Sequence, residues 1–231
     1  MTIVKVCKLG KISYESGLKL QRFLANEHLN DKVASNTILL LEHTPVYTIG
    51  IRTAQYNESE EKRLRDLGAD FYRTNRGGLI TFHGPGQLIA YPILNLKFFK
   101  LTMKCYVASL EKSVINLCKN LNLDAYTCEH TGVWIDDKKV CAIGVHGSRY
   151  ITTHGLALNC SVDVLHWFKH IIPCGLEGKG VTSLSYELKK NYSVDEAAEL
   201  FIKNFCDTFK CNHVNIDKEE TACMINKIER C

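Results

Sequence analysis

The stretch from Asp70 to Leu94, DFYRTNRGGLITFHGPGQLIAYPIL, constrains the fold more than any other part of the chain. Three strand-like runs, DFYRT, LITFH and LIAYPIL, succeed one another, punctuated by Gly77-Gly78 and Gly84-Pro85-Gly86. Strands in adjacent runs do not fit a regularly alternating parallel sheet. Elsewhere helices intervene. Tyr14–Leu29 reads as a helix with Leu20, Phe23, Leu24 and Leu29 near one face, and Ser59–Leu67 as a charged, exposed one with Gly68 as its left-handed cap. Thr102–Asn122 carries Val107, Leu110, Val114, Leu117 and Leu121 at helical spacing.

The remaining strands are expected at Thr2–Leu9, at the apolar run TILLLE (buried on both sides) and at THGLALNCS. A hairpin of TGVWID and KVCAIGV is expected to turn at Asp137-Lys138. Ser193 with Glu196 makes a capping-box pattern before the AAELFIKNF helix. The fold class is therefore α/β of the α+β type, a mixed β-sheet with flanking helices. At 231 residues and 45% hydrophobic, one domain spanning 1–231 is expected.

Charge and cysteine usage narrow the function. A net charge of +4 suits an acidic protein partner and is far from the footprint of a nucleic-acid binder. No apolar run approaches the roughly 20 residues of a membrane-spanning helix. The N-terminus is basic, lacks a signal-peptide core and makes only a weak presequence. Eleven cysteines, with no CxxC pair, form no complete disulfide framework and point to a reducing compartment. Cys7, Cys118, Cys160 and Cys206 sit in apolar sequence and read as small hydrophobes.

Cys174 differs, because IIPCGLEGKGVTSL places it between proline and glycine in a loop-like stretch. Cys141 is its rival: strand alternation puts Lys139, Cys141 and Ile143 on one face, where a lysine would stabilise a thiolate. His43, His83 and His154 fall at or near strand ends and suit a shared cleft. His166 and His170 have the spacing of a helical metal pair, but HWFKH lacks the glutamate of HExxH. Neither a Walker P-loop nor a Rossmann fingerprint is present.

RGGLITFHGPGQLIAYP, KVCAIGV, THGLALNC and PCGLEGKGVTSL, in this order and spacing and preceded by LLEHTPVYTIG, resemble the lipoyl(octanoyl) transferases. The resemblance runs from about Val4 to about Phe209, and the tail Lys210–Cys231 carries none of it. It implies the fold of biotin and lipoate protein ligases and a reaction, the first step of lipoate biosynthesis. Octanoyl passes from octanoyl-acyl carrier protein to a lysine on lipoyl domains of 2-oxoacid dehydrogenase E2 subunits or on the glycine cleavage H protein. It implies Cys174 as nucleophile and Lys139 as the lysine that lowers its pKa. The acyl wall would be Arg76, Gly77, Gly78, Leu79, Ile80, Thr81, Phe82 and His83, then Ala142, Ile143 and Gly144, then Gly155, Leu156 and Ala157.

The chemistry is consistent with this. A thioester donor is already activated, so no cofactor, metal or ATP is expected, and neither nucleic acid nor membrane is an expected partner. A thiolate accepts the acyl group and releases it to an amine, splitting one transfer into two steps. Glycine turns let main-chain N–H groups approach the developing oxyanion. Apolar strand faces around Ile80, Ile143 and Leu156 are expected to line an alkyl slot. The expected location is mitochondrial, with cytoplasmic as the alternative. The alternative function is an ATP-dependent lipoate or biotin ligase of the same fold, whose histidine is followed by an acidic residue where Gly84 follows His83 here.

Overall fold

The computed structural model describes residues 2–30, 34–51, 56–172 and 179–229. The chain opens with β1 (Thr2–Ile12), α1 (Tyr14–Asn30), β2 (Thr37–His43), β3 (Val46–Ile49), α2 (Glu58–Arg65) and β4 (Asp70–Arg73). It continues through β5 (Thr81–His83), β6 (Gln87–Ile93), α3 (Leu96–Phe99), α4 (Met103–Asn120), β7 (Ala125–Tyr126) and β8 (Val133–Ile135). Then come β9 (Lys138–Ser148), β10 (Ile151–Asn159), a 3₁₀ helix (Val162–His170) and β11 (Gly180–Val181). The chain closes with α5 (Leu184–Leu188), α6 (Val194–Phe209), β12 (Cys211–Asn215) and α7 (Lys218–Glu229).

The main sheet runs in the order β12-β1-β2-β6-β10-β9-β8-β7, with β11 added beside β9. Pairing is parallel from β12 through β1 to β2, and antiparallel from β2 onward to β7. This is the expected mixed sheet. Its two faces are covered separately. Ile38, Leu40, Leu88 and Ala90 face Leu110, Val114 and Leu117 of α4 and Phe201 and Phe205 of α6. Their neighbours Leu39, Leu41, Ile89 and Ile93 face Leu20 of α1 and Met224 and Ile228 of α7. Successive residues point to opposite sides, so a central strand covered on both faces must be apolar throughout, as TILLL is.

A second, three-stranded sheet, β4-β3-β5, builds a smaller core from Tyr47, Ile49, Phe71, Ile80 and Phe82 against Val164 and Phe168 of the 3₁₀ helix. Its middle strand, VYTI, carries Thr48, whose carbonyl and hydroxyl both accept from Arg76.

Three local expectations change. The hairpin turns at Asp136-Asp137, one residue earlier than expected: Ile135 pairs with Lys138 and Asp136 takes φ 45°. Within β9 the register shifts, so Trp134 opposes Lys139 while Val133 opposes Cys141. Val140 is the extra residue of this bulge, and it breaks the alternation that placed Lys139 and Cys141 on one face. Leu29 is exposed instead of joining the apolar face of α1. The tail, which carries no recognisable motif, is built into the fold: Thr2–Val6 pairs with Cys211–Asn215, and α7 packs on α1 and β1.

Candidate active site

The segment Arg76–Leu79 crosses over β9 between the two sheets, and glycine makes the crossing possible. Gly77 donates its N–H to the Val145 carbonyl at 3.1 Å. A Cβ on Gly144 would stand 2.9 Å from the Gly77 carbonyl oxygen and 3.1 Å from Arg76 Cδ. Gly155 lies opposite Gly144 in the ladder, and a Cβ there would meet the Ala90 carbonyl oxygen at 2.1 Å. KVCAIG and THGLAL therefore carry glycine where a second backbone passes close by.

Beneath this crossing lies a cavity of about 580 Å³. Arg76, Gly77, Gly78, Leu79, Thr81 and His83 line one wall, Ala142, Ile143 and Gly144 a second, Gly155, Leu156 and Ala157 a third, and Lys139 also lines it. Each of these is a residue expected at the site from the motifs above. Ile80 and Phe82 are instead wholly buried in the smaller core, because alternation along the short strand turns them away from Thr81 and His83. Ile80 therefore does not line the alkyl slot. Tyr14, Tyr91, Val107, Glu129, His130, Thr131, Val145 and His154 complete the lining. The loop Glu129–Thr131 had no sequence signal. It is held by α4, where Glu111 accepts the Gly132 N–H at 2.9 Å.

A directional hydrogen-bond chain runs from this wall to the segment that follows Cys174. Arg76 donates to the Thr48 hydroxyl at 2.9 Å. His83 Nδ1 lies 2.9 Å from Gln87 Oε1, and an amide oxygen only accepts, so Nδ1 carries the proton. His83 Nε2 then accepts from the Thr48 hydroxyl at 3.2 Å. Gln87 donates onward to Asn159 at 2.8 Å, and Asn159 donates to the Thr182 carbonyl at 2.8 Å. Thr182 in turn donates its N–H to the Lys139 carbonyl at 3.0 Å. Thr48, Gln87 and Asn159 were not foreseen; their signal is a polar side chain inside or at the end of an otherwise apolar strand.

Two of the three histidines, His83 and His154, do share the cleft, and His43 stands behind them with its ring 6.2 Å from that of His83. All three are held neutral. Burial drives His43 down to about 4. Burial, reinforced by the Arg76 charge, drives His154 down to about 3. Burial, then the neighbouring His43 and Arg76, pushes His83 well below the usual range. His154 sits at φ 58°, an uncommon conformation for a residue with a side chain, with its N–H donated to Gln21 and its Nε2 3.0 Å from Asn75 Oδ1.

Lys139 points into the cavity. Its Nζ donates to the Thr131 carbonyl at 3.0 Å and lies 4.7 Å from the centre of the Trp134 ring. Cys141 goes the other way. It is fully buried in the main core, and desolvation raises its thiol well above the ordinary range. The bulge at Val140 thus separates the rival cysteine from the lysine and leaves it inert. Cys174 lies outside the described residues. The chain beyond it returns to the lysine's own strand: Gly180 pairs with Lys138 and Val181 with Lys139. His166 and His170 stack edge to face at 5.5 Å, and no group of three metal-ligating side chains occurs among the described residues.

The fold and this site define a known class. The chain belongs to the lipoyl protein ligase A/B catalytic domain family, whose model matches residues 13–206. A zebrafish protein named octanoyl-[acyl-carrier-protein]:protein N-octanoyltransferase LIPT2, mitochondrial, is 55% identical over 90% of this chain and 93% of its own length. The human protein of that name is 45% identical over 93% and 96%. An octanoyltransferase from Solibacter usitatus is 42% identical over 87% and 91%. Among solved structures, a bi-partite lipoate protein ligase studied with its E2 lipoyl domain from Thermoplasma acidophilum superposes with a TM-score of 0.73 at 15% identity. That match covers 100% of this chain and 93% of the other. A biotin protein ligase from Aquifex aeolicus gives 0.50 over 91% and 70%, also at 15% identity. The mixed sheet of biotin and lipoate ligases is therefore the fold of this chain.

Proposed function

We propose that this protein is a mitochondrial octanoyltransferase of lipoate biosynthesis, moving octanoyl from octanoyl-acyl carrier protein to a lysine of a lipoyl domain through a thioester on Cys174. The observation that carries the reading is the cavity that holds Lys139, Arg76–Leu79, Ala142–Gly144 and Gly155–Ala157 together. The names of relatives 45–55% identical over nine-tenths of the chain supply the acyl group and the compartment. Acceptors of this kind include the E2 lipoyl domains and the glycine cleavage H protein.

In the first half-reaction the Cys174 thiolate attacks the thioester carbonyl, a C–S bond forms, and the carrier's thiolate leaves. In the second, the acceptor lysine's neutral amine attacks the enzyme thioester. The C–N bond forms, the Cys174 thiolate is expelled, and the proton that the amine gives up balances the one that the carrier's thiolate takes up. Lys139 stabilises the thiolate in both its appearances, at the start and as leaving group. Its ammonium is held on Thr131 and Trp134 and lines the cavity, and Lys139 is only 6% exposed, so its charge acts more strongly than one free in water. Ala142, Ile143, Val145, Leu156 and Ala157 offer the alkyl chain an apolar surface. Each buried methylene is worth about 0.8 kcal/mol, so chain length is discriminated.

The test is mass spectrometry after incubation with octanoyl-acyl carrier protein and no ATP. One hydroxylamine-sensitive octanoyl adduct is expected on the peptide carrying Cys174, absent in Cys174→Ser. An adduct on Cys141, or a strict need for ATP, sinks the assignment.

A further inference from the structure

The end of α6 brings together two cysteines and a histidine that the acyl-transfer chemistry does not use. The helix stops because Lys210 adopts a left-handed conformation, φ 52° and ψ 49°, and donates its N–H to the Cys206 carbonyl. A helix closed in this way juxtaposes the residue three positions inside its end with the residue just beyond the left-handed one. Those positions are ordinarily filled by apolar side chains in contact. Here they are Cys206 and Cys211, and Cys206 packs against the buried cluster that contains Cys211. β12 then carries His213 back over the helix end, where its Nδ1 lies 3.5 Å from the Cys206 sulfur.

The two thiols are not equivalent. Cys206 is partly exposed, whereas Cys211 is 3% exposed. An external reagent reaches the first and not the second. Hydrogen bonds from Cys211 and then His213 lower the Cys206 thiol below its ordinary range, against burial and the nearby Asp207. The same contact, with burial, raises Cys211. In sequence alone, Cys206 reads as a small hydrophobe. The helix-end geometry, which depends on Lys210 and not on the cysteines' own neighbours, makes it the more acidic and more accessible thiol of the pair, with Cys211 buried behind it.

We infer that Cys206 and Cys211 form a thiol–disulfide exchange site for low-molecular-mass disulfides, with Cys206 as the attacking thiol, Cys211 as the resolving thiol and His213 positioning the first. The Cys206 thiolate attacks one sulfur of the reagent RSSR, forming a mixed disulfide and releasing RS⁻. Cys211 then passes its proton to that thiolate and attacks Cys206 Sγ, releasing a second RS⁻, which takes the proton Cys206 gave up on ionising. The balance is two protein thiols plus RSSR giving one protein disulfide plus two RSH. The bond ties the last turn of α6 to the edge strand β12. This reaction is independent of the acyl-transfer reading, because it involves neither Cys174 nor the cavity.

Oxidised glutathione is the probe, added to the full reduced chain near neutral pH. Trypsin separates the pair, since Asn204–Lys210 and Cys211–Lys218 are successive tryptic peptides. The expected product is those two peptides joined by a disulfide, formed severalfold faster than any adduct on the exposed Cys105, Cys128 or Cys223. Cys211→Ala, which keeps the helix-end contact apolar, accumulates a single glutathione on Cys206. Cys206→Ala leaves Cys211 unmodified while the fold, checked by its thermal transition, persists. His213→Gln slows the first step severalfold without changing the product. The inference is overturned if glutathione goes to Cys105, Cys128 or Cys223 ahead of Cys206. It is overturned equally if Cys211→Ala fails to trap the mixed disulfide, or if Cys211 reacts when Cys206 is absent.

Discussion

A lysine that is 6% exposed has given up most of the water that ordinarily solvates an ammonium. Lys139 replaces part of it with the Thr131 carbonyl and the face of Trp134. Such an arrangement fixes a cation in one place instead of letting it wander at the end of a flexible stem. Lys138 differs: its Nζ lies 5.3 Å from the Tyr186 ring, a side chain that is itself exposed. Lys139→Met keeps length and removes charge. It should raise the pH midpoint of Cys174 alkylation by about one to two units, the usual effect of losing a neighbouring opposite charge. It should also slow acyl transfer by more than the lost thiolate explains, because the leaving thiolate of the second step loses the same support. Lys138→Met should leave the midpoint in place. If the two variants behave alike in the alkylation profile, the pairing of Lys139 with Cys174 is wrong.

At the scale of elements, the site depends on one backbone crossing another. Gly144→Ala would drive a methyl into the Gly77 carbonyl, a backbone atom, so the Arg76–Leu79 segment must lift off β9. Gly147→Ala, in the same strand, meets at close range the flexible methyl end of Met103, with backbone no nearer than the Ile151 carbonyl oxygen at 3.9 Å. The expectation is that Gly144→Ala raises KM for octanoyl-acyl carrier protein about tenfold, about 1.4 kcal/mol, with a smaller change in kcat, while Gly147→Ala stays near wild type. Equal kinetics in the two variants would show that the crossing does not shape the cavity. The glycines were legible in sequence because glycine-rich turns have few other uses, and the strands because TILLLE and LIAYPIL cannot be solvated. The bulge at Val140 was not legible, since two-against-one pairing is decided by how the partner strand Val133–Ile135 docks. Nor was the chain from Arg76 to Thr182: Thr48, Gln87 and Asn159 are each ordinary in their own segments, and only the sheet arrangement joins them. β12 and α7 escaped notice because short, polar CNHVN gains its ladder from β1 and little from its own composition.

Across the whole molecule, the most consequential electrostatic feature is a set of three buried histidines, two of which line the cleft. His43 is fully buried, its Nδ1–H on the Ile12 carbonyl and its Nε2 accepting from the Tyr91 hydroxyl at 2.9 Å. His83 and His154 are almost as buried and, like His43, are held neutral in the fold. In the unfolded chain these imidazoles return to about 6.5. Between that value and the folded ones, about 4 for His43 and about 3 for His154, the unfolded state binds protons that the folded state refuses. Stability is therefore intact above about pH 6.5 and declines as pH falls through that window. Each histidine adds a slope of at most about 1.4 kcal/mol per pH unit. Denaturant unfolding should give the same midpoint at pH 8 and 7.5 and a progressively lower one at 6 and 5. His43→Asn keeps a donor near the Ile12 carbonyl but cannot titrate, so it should lower stability at pH 7.5 and flatten the acid slope by close to one proton. A midpoint unchanged between pH 7.5 and 5, or an acid slope that His43→Asn leaves untouched, would mean that these histidines are not held neutral by burial.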